Sequence, residues 1–338
     1  MAETQTLDLM TYRIYGSELS PYSVKVRSFF RLKGIAHDWI PRSPAVQAEF
    51  QRYAKLPLVP LVVTPDGEGV QDSTPILERF EASYREPSVV PADPALAFVS
   101  ALLEEYGDEW GNKWMFHYRW RYQPDIWSTS ERIARQMMGE QGTLAVAQAR
   151  AAVAERMTGR LGFVGSNEKT QPLIEASFEK ALGLVEAHLA TRPYLLGARP
   201  AMADFGLWAQ LYEAATDPTP GAIMRASAPK VMGWVQRMLE PSAEGEFESL
   251  AALTPTLMPL VQDEVAGLFL PWSQANAEAI QRGDRSFTLK LGGIDWSQEP
   301  QKYHARSLAE IRRKYAAARG AAGLEPLLEQ SGCLRWLA

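Results

Sequence analysis

Ser20-Pro21-Tyr22-Ser23 stands between a strand-like run, Tyr12-Arg13-Ile14-Tyr15, and a helix-like run that ends at Gly34. Ser20 occupies the place of an N-cap and Pro21 that of the first helical residue. A helix start leaves backbone N–H groups unpaired and carries partial positive charge, so it can hold an anion. A thiolate is such an anion, and helix N-termini lower thiol pKa values. The chain's one cysteine, Cys333, lies at the far end of the sequence. A thiol acting at Ser20 must therefore arrive with a ligand. Plain capping of the helix accounts for Ser20 equally well on local sequence alone. Tyr15 and Ser23 are the substitutes if Ser20 points away.

The elements that must position these residues can be read in order. Aromatic and β-branched residues predict a strand at 12–15. A helix follows at 21–33 with Gly34 as its stop, then a strand at 36–40 and a short helix at 44–54. Strands at 58–63 and 70–71 flank a turn at 65–69. A helix at 73–84, N-capped by Ser73, closes the block. The order is β-α-β-α-β-β-α, with a right-handed parallel first unit and an antiparallel hairpin at its end. Residues 85–94 hold three prolines and read as a linker. Beyond them the pattern turns to long helices: 95–123, one or two within 125–160, 171–191, 201–215 and 229–239. A Pro-rich loop at 217–221 interrupts the run. After Pro241 come a helical stretch around 255–282, a hairpin around Gly292-Gly293 and a helix at 302–319. The first ten residues read as a frayed lead-in, with two acids and no apolar core of a signal peptide.

Composition sets outer bounds. The chain has 338 residues, enough for two domains, with 46% hydrophobic and 22% charged residues. A formal net charge of −5 gives no basic face for nucleic acid. One cysteine excludes an intramolecular disulfide framework and a cysteine-based metal cluster. It is consistent with a reducing, cytoplasmic setting. The apolar runs fall short of the ~20 residues that span a bilayer.

Several segments, in their order and spacing, resemble the glutathione transferase superfamily over roughly residues 11–240. Ser20-Pro21-Tyr22-Ser23 follows the first strand of a thioredoxin-like block. Val59-Pro60 resembles the family's cis-proline position. Asp72-Ser73 resembles the acidic-Ser pair before a helix. Leu195-Leu196-Gly197-Ala198-Arg199-Pro200-Ala201-Met202-Ala203-Asp204-Phe205 resembles the box that opens a core helix of the second domain, and Pro91-Ala92-Asp93-Pro94 resembles the linker. The chain departs from the pattern at Ala201, where Ser or Thr is usual. It also has no Cys at position 20, and its segment after about Leu239 has no counterpart. The resemblance implies α/β plus all-α architecture. A thioredoxin-like glutathione-binding domain would span 11–84, a linker 85–94, a helical substrate domain 95–240, and an extension packed on it 241–338.

The resemblance also assigns roles. Ser20 would donate a hydrogen bond to the thiol of glutathione, the co-substrate. Lowering a thiol pKa from about 8.5 by ~2 units needs about 2.7 kcal/mol. A charge-assisted hydrogen bond of ~1.5–3 kcal/mol and a helix-terminus contribution of ~0.3–1 kcal/mol can supply it. The Val59 backbone beside Pro60 would pair with the cysteinyl part of the ligand, strand fashion. Otherwise Pro60 marks an ordinary strand start. Asp72 would take the ligand's ammonium, and Ser73 with its helix start would hold the α-carboxylate. Capping alone explains Ser73 well and Asp72 less well.

Trp110, Trp114, Tyr118 and Tyr122 recur every four residues along one helical side. The resemblance puts that helix beside an electrophile pocket, whereas a stripe of this kind is more often core. His117 reads as a surface or packing residue, and Arg312-Arg313-Lys314 as a solvated helix face.

The activity implied is that of a glutathione transferase acting on a small hydrophobic electrophile. The partners implied are glutathione, that electrophile and a second copy in a homodimer, with no metal, nucleic acid or membrane. A catalytically silent binding or interaction protein of the same fold is the alternative. The absence of Cys at positions 20 and 23 argues against a thiol-disulfide oxidoreductase. The aromatic-rich extension is expected to pack on the helical domain and to narrow the approach to Ser20. An accessory layer remote from the site is the other possibility.

Overall fold

The computed structural model describes residues 11–139 and 141–338; the frayed lead-in expected before residue 11 lies outside them. The chain begins with β1 (Tyr12–Gly16), α1 (Pro21–Leu32), β2 (His37–Pro41), α2 (Gln47–Tyr53), β3 (Leu61–Val63), β4 (Gly69–Gln71) and α3 (Ser73–Ser83). The sheet order is β2-β1-β3-β4, with β1 parallel to β2 and the other pairs antiparallel. This is a thioredoxin-like sheet. Alternation along β1 divides two cores: Ile14 faces Val24, Phe29 and Phe80, while Tyr15 faces Phe50, Leu61 and Val63.

Two local expectations change here. The third strand starts at Leu61, not at residue 58, because the chain before Pro60 is held by a side chain. Gln71 Oε1 accepts from Lys55 N (2.7 Å) and Leu56 N (2.9 Å), and Gln71 Nε2 donates to Leu56 O (2.9 Å) and Leu58 O (2.8 Å). Ser73 is the first residue of α3 and not its cap. The flanking residue is Asp72, held at φ 79°, and its side chain makes no capping hydrogen bond.

The helical part runs through α4 (Pro94–Glu105), a wider π-type segment at Tyr106–Gly111, and α5 (Asn112–Arg121). Then come α6 (Gln123–Met138), α7 (Thr143–Thr158), α8 (Gln171–His188), α9 (Met202–Thr216), α10 (Pro218–Ser227) and α11 (Pro229–Arg237). The segment expected as a loop at 217–221 starts α10. Pro218 and Pro220 stand in its first turn, where the missing N–H groups have no intrahelical acceptor to lose. Gly107 lets the π-type segment touch α9, since a Cβ there would lie 2.5 Å from Leu207 N. Asp204 organises the start of α9. Its carboxylate accepts from the N–H groups of Ala201 and Leu195 and from Trp234 Nε1, each at 2.9 Å.

The last segment holds α12 (Leu250–Leu260), a second π-type segment at Val261–Phe269, α13 (Leu270–Arg282), the hairpin β5 (Phe287–Leu291) and β6 (Ile294–Gln298), then α14 (His304–Ala318), α15 (Leu324–Ser331) and α16 (Leu334–Leu337). Trp272 and Trp296 sit against Trp110, with ring centroids 6.2 and 5.6 Å away. Glu264 accepts from Tyr106 (3.3 Å) and Ser177 (2.5 Å). Two of the three basic residues are engaged, Arg312 donating to Trp336 O and Gln274 and Lys314 pairing with Glu78, while Arg313 is exposed beside Glu310 of its own helix, as a solvated face would be. No helix among the described residues is long and apolar enough to cross a membrane.

Candidate active site

Strand register brings three of the predicted segments to one end of the sheet. Tyr15 pairs with Leu61, and Leu61 with Gln71. The Ser20 loop leaves β1 at that end, Val59-Pro60 enters β3 there, and Asp72-Ser73 follows β4 there.

Ser20 is the N-cap of α1, in an extended conformation, and its Oγ accepts from Ser23 N at 3.3 Å. Its own proton has no partner among the described residues. The two substitutes are less suited. Tyr15 and Ser23 are both fully buried, with hydroxyls that find no partner among the described residues. Burial pushes the Tyr15 hydroxyl pKa up, against the anion.

The Val59-Pro60 bond is cis. Neither the N–H nor the C=O of Val59 pairs with another described residue, although Leu58 O is held by Gln71. At Asp72, partial burial pushes the carboxyl pKa up, Lys25 opposes it, and the carboxylates of Glu109 and Glu104 add to the rise. Ser73 is buried in the first turn of α3.

Beneath this surface lies a buried ionic group that the sequence reading did not single out. Lys25 Nζ reaches Thr74 Oγ1 (3.1 Å), Asp108 Oδ2 (2.5 Å) and Glu104 Oε1. All of its charged members are buried. The position of Lys25 was a usable signal: it shares a helical side with Phe29 and Leu32, and a charge on an apolar side calls for a partner. Burial pushes Asp108 up to about 7 against the pull of Lys25. Tyr22 Oη donates to Asp108 O at 3.0 Å. These contacts join α1 and α3 to the π-type segment of the helical part.

Two more positioning residues had no local signal. Arg119 holds the loop before Ser20, and Gln71 orders the loop before Val59. The helical part also reaches the end of β2 through α6, where Gln136 Nε2 donates to Arg42 O at 3.0 Å. The extension reaches the neighbourhood of the site residues through His304, whose Nδ1 lies 3.1 Å from Glu109, the carboxylate that acts on Asp72. Among the described residues from 241 on, its hydrogen bonds and ion pairs reach the sheet-bearing part at Glu78. The aromatic stripe is core: Trp110 and Trp114 both donate to Ser177 Oγ at 2.9 Å. His117 is buried and bridges Ser166 and Glu175.

Residues 14–88 match the family model described as glutathione S-transferase, N-terminal domain, and residues 146–237 match that described as glutathione S-transferase, C-terminal domain. The chain belongs to the glutathione transferase superfamily. The unmatched stretch between the two models holds α4 to α6 and the first turn of α7. Among solved structures, the chain is similar to a glutathione S-transferase from Methylobacterium radiotolerans in complex with glutathione sulfonate. That protein is 18% identical, with 71% of this chain and 99% of that chain covered and a TM-score of 0.43. It is similar to a beta-etherase from a Sphingobium species, 18% identical, with 68% and 95% covered and a TM-score of 0.43. It is similar to a maleylacetoacetate isomerase from Anaeromyxobacter dehalogenans, 19% identical, with 67% and 85% covered and a TM-score of 0.38. No curated protein matches the chain.

Proposed function

We propose that this member of the superfamily is a glutathione transferase in which Ser20 stabilises the ligand thiolate. The observation that carries the reading is the convergence of the Ser20 loop, Val59-Pro60 and Asp72-Ser73 at one end of the sheet, set by the pairing of Tyr15, Leu61 and Gln71. That order matches an extended tripeptide. The sulfur lies at the α1 N-terminus, the cysteinyl backbone at the unpaired groups of Val59, and the γ-glutamyl end at Asp72 and Ser73.

Ser20 suits the role because its oxygen is engaged by Ser23 N while its proton stays free to donate. A hydrogen bond to the charged form lowers the thiol pKa, and the helix start adds to it. The thiolate then attacks an electrophilic carbon, forming a C–S bond while the leaving group departs with its electron pair. Proximity supplies the rest.

The test is Ser20→Ala assayed with glutathione and a chloronitroaromatic electrophile. Turnover at saturating glutathione should fall by about tenfold or more, the size of one lost charge-assisted hydrogen bond. Glutathione affinity should fall less. Unchanged turnover would remove Ser20 as the thiolate partner. Glutathione binding without turnover on any electrophile would favour a silent binding protein.

A further inference from the structure

Glu109 stands apart from the acidic groups around it. The Glu104 and Asp108 carboxylates share Lys25 and are closed off, with side chains 1% and 7% exposed. The Glu109 side chain is 25% exposed. His304 Nδ1, on the extension, lies 3.1 Å from its Oε2. That approach lacks the direction of a hydrogen bond, and it leaves the buried Nδ1 without a partner among the described residues. Glu109 is thus a half-shielded carboxylate that accepts no hydrogen bond from them.

The segment that carries Glu109 is fixed against both helix starts of the site. Asp108 O accepts from Tyr22 Oη, two residues past Ser20, and Lys25 ties Asp108 and Glu104 to Thr74, the residue after Ser73. This brings Glu109 within electrostatic reach of Asp72. Asp72 is exposed, and its side chain caps nothing. Its φ of 79° is one that side chains other than glycine adopt at a cost, and that surrounding structure has to hold. Burial pushes the Asp72 carboxyl up, and Glu109 adds to the rise. Glu109 itself stays charged: burial works to raise its carboxyl, while His304, Lys113 and Lys25 together outweigh it. Neither lysine donates to it. Lys25 is taken by Glu104, Asp108 and Thr74, and the Lys113 ammonium lies over the Trp272 ring.

We infer that Glu109 is a second carboxylate of the glutathione site, sharing the γ-glutamyl ammonium with Asp72, and that His304 of the extension is the residue that positions it. This rests on the reading of the Ser20 site as a glutathione site. The ammonium and the α-carboxylate of the ligand leave the same carbon. With the carboxylate at Ser73 and the start of α3, the ammonium falls on the Asp72 side, where it meets two carboxylates that lack a donor. His304 is itself held: Nε2 meets Ser273 Oγ, and the ring lies against Trp272 with centroids 4.5 Å apart. Through this ring the extension sets affinity at the glutamyl end of the ligand.

The test compares glutathione with its deamino analogue, glutaryl-cysteinylglycine, each titrated calorimetrically into the full chain. The two differ only in the ammonium. The wild type should bind glutathione about tenfold or more tightly than the analogue. Glu109→Gln is isosteric at a partly exposed position and should fold normally. It should cut that preference by about threefold or more, while the affinity of the analogue changes by less than about twofold. His304→Gln keeps an amide near Ser273 and removes the nitrogen that faces Glu109, so it should cut the preference as well. His304→Asn places an amide N–H near the Nδ1 position and should retain it. A purely structural role would move both ligands together, or the two His304 variants alike. The inference is overturned if Glu109→Gln leaves the preference unchanged or weakens both ligands equally, or if the folded His304 variants do not differ. Should those variants fail to fold, Glu109→Gln still decides. If the wild type binds neither ligand, the glutathione reading itself fails, and this inference with it.

Discussion

Arg119, on α5, donates through Nη1 to the main-chain carbonyl of Leu19 at 3.0 Å, so a helix of the all-helical part holds the residue before Ser20. The same guanidinium donates through Nε to Asp217 (2.6 Å) and through Nη2 to Glu213 (2.7 Å), and both carboxylates are fully buried. One side chain thus links β1's outgoing loop, α5, α9 and the start of α10. The planar fork serves three directions at once, which a lysine ammonium on a flexible stem does not.

Arg119→Met should therefore be severely destabilising. It leaves the buried Glu213 without a cation and Asp217 with only the more distant Arg132 at 3.5 Å, and breaking a buried pair by removing one partner costs about 3–5 kcal/mol. The check is a denaturant titration at neutral pH. A loss below about 1 kcal/mol would mean that Glu213 is neutral in the folded protein and that Arg132 suffices for Asp217, and that Arg119 is not what holds the loop.

The pH dependence of stability should carry the mark of Glu264. Burial pushes its carboxyl up to about 7, against hydrogen bonds from Ser177 and Tyr106. Its unfolded pKa is about 4.3. The folded protein binds the extra proton between these values, so unfolding releases it and stability falls as pH rises from about 4.3 to 7. Glu264→Gln keeps an acceptor and removes the titration. The variant's stability should therefore decline less than that of the wild type over this window, by about 3 kcal/mol. Parallel pH profiles for the two proteins would contradict this.

Lys113 should work in the opposite sense. It lies buried with its ammonium 3.6 Å from the Trp272 ring centroid, and burial pushes its pKa down to about 7 against the pull of Glu109. The folded protein holds fewer protons than the unfolded one between about pH 7 and the ordinary lysine value near 10.4, so its stability contribution rises over that range. Lys113→Met, which keeps the length and apolar stem, should flatten the alkaline rise. Thermal unfolding midpoints from pH 7 upward, compared between the two proteins, decide it. An undiminished rise in the variant would assign the effect to other groups.

How far these features could be read beforehand depended on their range. The β-α-β-α-β-β-α order was legible because each element is a short apolar run bounded by Gly, Pro or a cap. Ser20 and Pro21 announced α1 in the same local way. The start of α10 was misread because prolines signal loops and first helical turns alike, and only the surrounding packing distinguishes them. The two π-type segments were not legible: one depends on Gly107 meeting Leu207, about a hundred residues away in the chain. The Trp110 stripe could not be assigned to core until Trp272 and Trp296, still more distant, were seen against it. Of the candidate site, the residue types were visible, while Arg119 and Gln71, which position them, act from other elements.

Ala201→Ser should be stabilising. Ala201 is the N-cap of α9 in an extended conformation, and Asp204 already accepts from its N–H. A serine oxygen there would accept from the N–H of Asp204 and complete the reciprocal half of the box. The expected gain is about 0.5–2 kcal/mol in a denaturant midpoint. Ala201 is fully buried, so a loss of stability would show that the added oxygen meets no donor in that space.

Removing the extension after Leu239 should abolish cooperative folding. The cut keeps Met238 O and Leu239 O, which accept from Ser28 and Arg31, but takes away the aromatic and polar partners that the extension gives the α4–α5 run. Trp110 loses Trp272 and Trp296, Tyr106 loses Phe269 and Glu264, and Phe98 loses Tyr315. Uncovering about 100 Å² on each of these three rings forfeits about 7.5 kcal/mol at ~25 cal/mol per Å². That approaches the whole stability of a typical domain, about 5–15 kcal/mol. The truncated chain should therefore aggregate or unfold without a sharp transition. Trp272→Ala in the full chain is the milder version and should cost about 3–5 kcal/mol. A soluble truncated protein with an unchanged unfolding midpoint would mean that the α4–α5 run is stable without the extension's aromatic residues.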